Sequence, residues 1–179
     1  ISVYNSYPRI VGETGGKDFI LAHESAETSA LATAMVRGAF EYQGQKCSAA
    51  SRCYIPKSIW EEVKEKYLKQ VKSIKMGDVN DFSNFMNAVI DEASFDNIVN
   101  YIEYAQKSSE ASIISGGGYE KTKGYFVEPT SILTTNAYFK TMEEEIFGPV
   151  LTIFVYDETW DDICAIVDST SPYALTGAI

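Results

Sequence analysis

Short apolar runs alternate along the chain with longer segments whose apolar residues recur every three or four positions. "KDFILA" (17–22) has the composition of a short buried strand. An Ala-rich helix is predicted from Ser25 to Tyr42, with Ala30, Leu31, Ala34, Met35, Gly38 and Ala39 at helical spacing. Gly44 is its stop, because glycine accepts the left-handed conformation that ends many helices. "SRCYIP" (51–56) is a second strand, closed by Pro56. Ser58-Ile-Trp-Glu61 fits a capping box opening a helix with Trp60, Val63, Tyr67 and Val71 on one face. Glu62–Lys66 and Glu65–Lys69 are favourable i,i+4 pairs on its other side. A further helix spans Ala93 to Lys107, with Phe95, Ile98, Val99, Ile102 and Ala105 inward. "SIISGGG" (112–118) runs from strand into a glycine turn. "GYFVEPTSIL" (124–133) and "PVLTIFVYD" (149–157) are strands, and "TWDDICAIVDS" (159–169) is a helix. Apolar strands between amphipathic helices predict an α/β fold with a mostly parallel sheet flanked by helices.

No linker or repeat divides the 179 residues, so one domain is expected over 1–179. The chain lacks an initiator Met and closes on "YALTGAI", inside an apolar stretch, which suggests a piece of something longer. Fifteen Lys and Arg against 25 Asp and Glu give a net charge of -10. Such a surface repels phosphate, which argues against nucleic-acid and anionic-membrane partners. The three cysteines do not form a disulfide framework and suit a reducing compartment.

The chemistry available is limited. A single histidine and cysteines at positions 47, 53 and 164 match no zinc-ligand spacing. "GETGGKD" (12–18) fails the phosphate-loop pattern, which needs glycine where Val11 stands and Ser or Thr where Asp18 stands. No G-x-G-x-x-G dinucleotide fingerprint is present. Nucleophilic catalysis remains. Cys47 follows Lys46 in the break between a helix and a strand, where a thiolate is accessible and free backbone amides are near. Its competing reading is a small core residue, which is the reading preferred for Cys53 and Cys164. Its base is either the distant His23 or a carboxylate, and Glu13, flanked by Gly12 and Gly15-Gly16, is the attractive one.

"GETGGKDF", "GQKCSA" and "EEIFGPV" (144–150), in this order, resemble three signature stretches of the aldehyde dehydrogenase superfamily. "YPRIVGETGGKDF", "AFEYQGQKCSA", "GYFVEPT" and "VDSTSPYALTGAI" are similar to the branch that oxidises glutamate semialdehyde, the open form of 1-pyrroline-5-carboxylate, in proline breakdown. The resemblance implies the family's catalytic domain, with Cys47 as nucleophile and Glu13 as the base that activates water. It implies that Glu145 binds the nicotinamide ribose of NAD, that Phe147 packs near the nicotinamide, and that Ser48, Gly177 and Ala178 hold the substrate carboxylate. It also implies that a Rossmann-like N-terminal domain binding most of the NAD, and a C-terminal oligomerisation segment, lie outside this chain. The isolated chain is then expected to be inactive, and the whole enzyme a homo-oligomer in bacterial cytoplasm or the mitochondrial matrix. A dehydrogenase for another semialdehyde or aliphatic aldehyde, and a non-catalytic interaction module of the same fold, are the alternatives.

Overall fold

The computed structural model describes residues 5–12, 14–173 and 175–179. Among these, the strands are β1 (Asp18–Leu21), β2 (Ala50–Pro56), β3 (Ala111–Ser115), β4 (Tyr119–Glu120), β5 (Phe126–Val127), β6 (Thr130–Thr134), β7 (Val150–Tyr156) and β8 (Gly177–Ala178). The helices are α1 (Thr28–Phe40), α2 (Lys57–Ser73), α3 (Glu92–Lys107), α4 (Lys140–Glu143) and α5 (Trp160–Ser169).

Six strands form one sheet in the order β3-β6-β7-β2-β1-β8. All neighbours pair in parallel except β3, which runs antiparallel to β6 at one edge. The central strand "VLTIFVY" is almost continuously buried, as expected of a parallel strand covered on both faces. On one face α1 and α2 pack through Met35, Phe40, Trp60 and Tyr67 onto Ile20, Cys53, Ile55 and Ile153. On the other, α3 and α5 pack through Phe95, Ile98, Ile102 and Ile163 onto Leu21, Tyr54, Ile132 and Phe154. This is the mostly parallel, helix-flanked sheet that the residue pattern predicts.

The register decides where a site can lie. Asp18 aligns with Ala50, and Arg52 with Thr152, so the amino ends of β1, β2 and β7 sit side by side. The segments entering these strands, residues 14–17, 41–49 and 144–149, therefore meet along one rim of the sheet.

Several boundaries differ from expectation, each for a physical reason. α1 begins at Thr28 because the Glu27 carboxylate caps it, accepting from the N–H groups of Ser29 and Ala30. Ala30 and Ala34 are exposed on a groove beside β1, and Leu31, Ala32, Met35 and Val36 face the core. No capping box forms at Ser58, since α2 already starts at Lys57, with Pro56 before it and no side-chain cap. Glu62 and Lys66 do pair, at 2.8 Å. The run 124–133 splits into β5 and β6, because Pro129 cannot donate to a ladder. Val99 is only partly buried. Residues 175–179 are an exposed edge carrying β8, where the sequence reads as an apolar element.

Candidate active site

The turn that carries Cys47 is built from an unusual backbone. After α1 ends, Tyr42, Gln43 and Gly44 all adopt left-handed φ values of 56°, 58° and 65°. For two residues with side chains this costs roughly 1–2 kcal/mol each, so neighbouring contacts must hold the turn. Those contacts come from two glutamine side chains. Gln43, itself buried, accepts from the N–H of Asn87 at 3.2 Å and donates to the carbonyl of Ala88 at 3.3 Å. Gln45 accepts from the N–H of Ile90 at 2.9 Å. The third left-handed residue has no side chain, and its backbone lies directly against the Gly148 carbonyl. Lys46 to Ala49 then close a short turn, Ala49 N–H donating to Lys46 O at 3.0 Å, with Cys47 and Ser48 exposed on it.

The segment entering β1 crosses beside this turn. A side chain at Gly16 would lie 2.6 Å from the Cys47 carbonyl, so only glycine permits the approach. The Gly16 N–H donates to Glu145 Oε1 at 2.8 Å, tying the same strip to the segment entering β7. Two residues further, Phe147 is 44% exposed and holds a left-handed φ of 57°, a conformation rare for a bulky side chain. Cys47, Gly16, Gly44, Glu145, Phe147 and Gly148 line one narrow cleft. Ser48, next to Cys47, lines a different concavity, a groove of about 610 Å³ shared with Asp18, Thr176, Gly177 and Ala178. Cys47 and Ser48 thus stand at the junction of two openings. Glu13 lies outside the described residues.

Two expectations about the neighbours of Cys47 need correcting. Lys46 turns to Glu41 and pairs with it at 2.8 Å, because that carboxylate sits across the same turn. His23 follows the far end of β1, where its Nδ1 lies 2.9 Å from Ser25 Oγ and its ring meets Trp160 edge-on. A Cys–His pair is therefore ruled out in this fold. Cys53 is fully buried, as expected, and burial pushes its thiol far above the ordinary range. Cys164 is only partly buried and lines a separate groove. Glu145 is half-buried and Phe147 exposed, so the carboxylate is not fully solvated and the phenyl ring is not in the core.

Sequence reasoning passed over three buried charges beneath the rim. Arg52 donates from Nε to the Lys17 carbonyl at 2.9 Å and from Nη1 to Tyr54 Oη and the Val167 carbonyl, both at 3.1 Å. Asp18 is buried with Oδ1 accepting from the Thr176 N–H at 2.7 Å. Lys17 is buried and its Nζ meets no acceptor among the described residues. Burial first, and then the Arg52 guanidinium, bring its ammonium down to about 7, against the pull of Glu145 and Glu144. The only signal in the sequence for Lys17 and Asp18 was their place between glycines and an apolar strand.

Lys17 makes stability depend on pH in a direction that can be worked out. An unfolded lysine keeps its proton to about 10.5. Between about 7 and 10.5 the unfolded chain binds more protons, so the destabilisation due to Lys17 fades as pH rises through that window, by at most about 1.4 kcal/mol per unit. Lys17→Met is therefore expected to stabilise the protein most at pH 7 and below, with the gain shrinking toward pH 10. Paired chemical denaturation of the two proteins measures this, and a gap independent of pH contradicts it.

With the geometry in place, comparison with known proteins identifies the class. The chain belongs to the aldehyde dehydrogenase family, whose sequence profile it matches over residues 2–179. It is similar to a protein of Dictyostelium discoideum named Delta-1-pyrroline-5-carboxylate dehydrogenase, mitochondrial, at 56% identity over 99% of the chain and 32% of that protein. The Danio rerio protein of the same name is 50% identical over 100% of the chain and 33% of its own length. A crystal structure of the Mycobacterium tuberculosis Delta-pyrroline-5-carboxylate dehydrogenase bound with NAD superimposes with a TM-score of 0.88 at 45% identity. That match covers 97% of this chain and 31% of the other. The chain thus spans about a third of the length of the relatives it matches.

Proposed function

We propose that this chain is the cysteine-bearing catalytic domain of an NAD-dependent dehydrogenase that oxidises glutamate semialdehyde, the open form of 1-pyrroline-5-carboxylate, to glutamate. The observation that carries the reading is the position of Cys47 and Ser48 at the junction of two concavities. One presents a carboxylate and an exposed phenyl ring, and the other a hydroxyl and the backbone of a glycine turn. The names and identities of the relatives support the same substrate.

In this reading the Cys47 thiolate attacks the aldehyde carbon and forms a C–S bond. The resulting oxyanion is received by the backbone N–H of Cys47, which donates to no described residue. Loss of hydride from this carbon leaves a thioester on Cys47, and bound NAD would supply the hydride acceptor. Glu145 fits a ribose diol, being half-buried at the mouth of the cleft, and the exposed ring of Phe147 fits the nicotinamide face. Glu13 takes a proton from water, which attacks the thioester, releases the carboxylate product and frees Cys47. Ser48 and the amides of Gly177 and Ala178 receive the substrate's α-carboxylate, an anion that such donors hold without a cation. Most of the NAD surface, and the contacts that assemble the homo-oligomer, belong to parts of the full-length protein outside this chain. The mitochondrial names of the eukaryotic relatives favour the mitochondrial matrix over bacterial cytoplasm. No helix among the described residues is long and apolar enough to cross a membrane.

The test is steady-state kinetics of the full-length protein with glutamate semialdehyde against succinate semialdehyde and simple aliphatic aldehydes. A clear preference for glutamate semialdehyde is expected. A preference for another aldehyde overturns the substrate, and absence of turnover with every aldehyde overturns the enzyme reading in favour of an interaction module. Glu13→Gln separates the two half-reactions. Its steady-state rate is expected to fall about a hundredfold or more. A first-turnover burst of NADH stoichiometric with active sites remains, because deacylation alone is blocked. Loss of the burst together with turnover assigns Glu13 to an earlier step.

A further inference from the structure

The strip Gly16-Lys17-Asp18 touches every part of the rim. Gly16 meets the Cys47 carbonyl and the Glu145 carboxylate. Asp18, two residues on, reaches the edge segment. Its side chain is buried and its Oδ1 holds the backbone N–H of Thr176 at 2.7 Å. The next two residues, Gly177 and Ala178, pair with Phe19 and Ile20 as a two-residue edge strand, and a side chain at Gly177 would strike the Phe19 ring. Two ladder positions are a weak attachment for a segment that is otherwise exposed. Asp18 supplies the side-chain bond that fixes where this segment turns toward the groove holding Ser48.

We propose that Asp18 is a positioning residue for substrate specificity: by gripping the Thr176 amide it aims the Gly177 and Ala178 amides at the carboxylate end of the substrate. It touches neither the reacting atoms nor the cofactor cleft. The inference rests on the substrate reading given above and adds a residue to it. What the geometry requires is an oxygen acceptor at Oδ1, and not a negative charge. Burial also raises the Asp18 carboxyl above the usual aspartate range, against the Thr176 N–H and Arg52, which favour the charged form. An amide at this place therefore keeps the grip.

The experiment compares the full-length wild type with Asp18→Ala and Asp18→Asn, using glutamate semialdehyde and an aliphatic aldehyde without a carboxylate. Asp18→Ala is expected to raise KM for glutamate semialdehyde about three- to tenfold, the scale of one lost hydrogen bond. Its kcat/KM for the aliphatic aldehyde should stay within about twofold of wild type, a margin well under one kcal/mol. Asp18→Asn is expected to restore most of the glutamate-semialdehyde KM. An equal loss on both aldehydes in Asp18→Ala makes the residue merely structural and overturns the proposal. So does an unchanged KM, or a failure of Asn to rescue in a folded protein. If the wild type itself prefers the aliphatic aldehyde, it is the substrate reading that fails, and the Asp18 comparison is separable from it.

Discussion

Replacing Cys47 with alanine in the full-length protein is expected to lower NAD-linked aldehyde oxidation by about 10⁴-fold or more, the order seen when a covalent nucleophile is removed. NAD affinity should stay within about twofold, and stability within about 0.5 kcal/mol, because the side chain is exposed and makes no hydrogen bond to a described residue. No described thiol can replace it. Cys53 lies fully buried in the sheet with its thiol held protonated by burial, and Cys164 belongs to a groove on the α5 side. Stopped-flow NADH formation and NAD titration of the variant make the check. Residual oxidation above about one per cent of wild type removes Cys47 from the nucleophile's place. Loss of NAD affinity alongside the rate would instead mean that the turn has collapsed.

The fold was legible because the pattern and the packing agree. "VLTIFVY" is apolar but for Thr152 and "SRCYIP" is apolar after Arg52, which suits strands covered from two sides, and the periodic faces of α2 and α3 bury the residues expected of them apart from Val99. Two helix starts differed through local contacts, Glu27 capping the amides of Ser29 and Ala30 and α2 beginning at Lys57 directly after Pro56. Much of the rest that was not legible came from contacts distant in sequence. The one-turn α4 lacks the length that makes periodicity visible. For the site, Gly15, Gly16, Gly44 and Gly148 carried real information, since each marks a close approach of backbone to backbone or to a packed side chain. Gln43 and Gln45 carried none, because an amide side chain declares its role only when the segment 87–90 lies across from it. The local argument from Lys46 misled for the same reason, since its partner was Glu41 and not the thiol.

The position of the site also departs from the common rule for open α/β sheets, which places ligands outside the carboxyl ends of the strands. Here the candidate residues enter at the amino ends of β1, β2 and β7. The reason lies in the loops. Each amino-end segment is pinned by a contact that only this rim supplies: Gly16 by Glu145, the cysteine turn by Gln43 and Gln45, and the edge turn by Asp18. At the other end of the sheet, Pro56 passes directly into α2, and His23 packs on Trp160.

Gly44→Ala tests whether the cysteine turn depends on this close packing. A methyl at Gly44 would lie 2.3 Å from the Gly148 carbonyl oxygen and 2.7 Å from the Ala39 carbonyl oxygen. Both are backbone atoms, so neither can swing aside as a side chain would. The φ of 65° adds the cost of a left-handed conformation to the third such residue in a row. Overpacking and strain together predict a loss of about 2–4 kcal/mol of stability. Activity should fall further than stability alone explains, because the clash drives the turn before Cys47 away from the segment that carries Phe147. Gly12→Ala is the control for stability: its added methyl meets nothing within 4 Å, and a change within about 0.5 kcal/mol is expected. Chemical denaturation of both variants, with kcat measured under conditions where each stays folded, separates the effects. A Gly44→Ala protein as stable as the Gly12→Ala control would mean that the two turns can separate without cost and that the rim is not rigid.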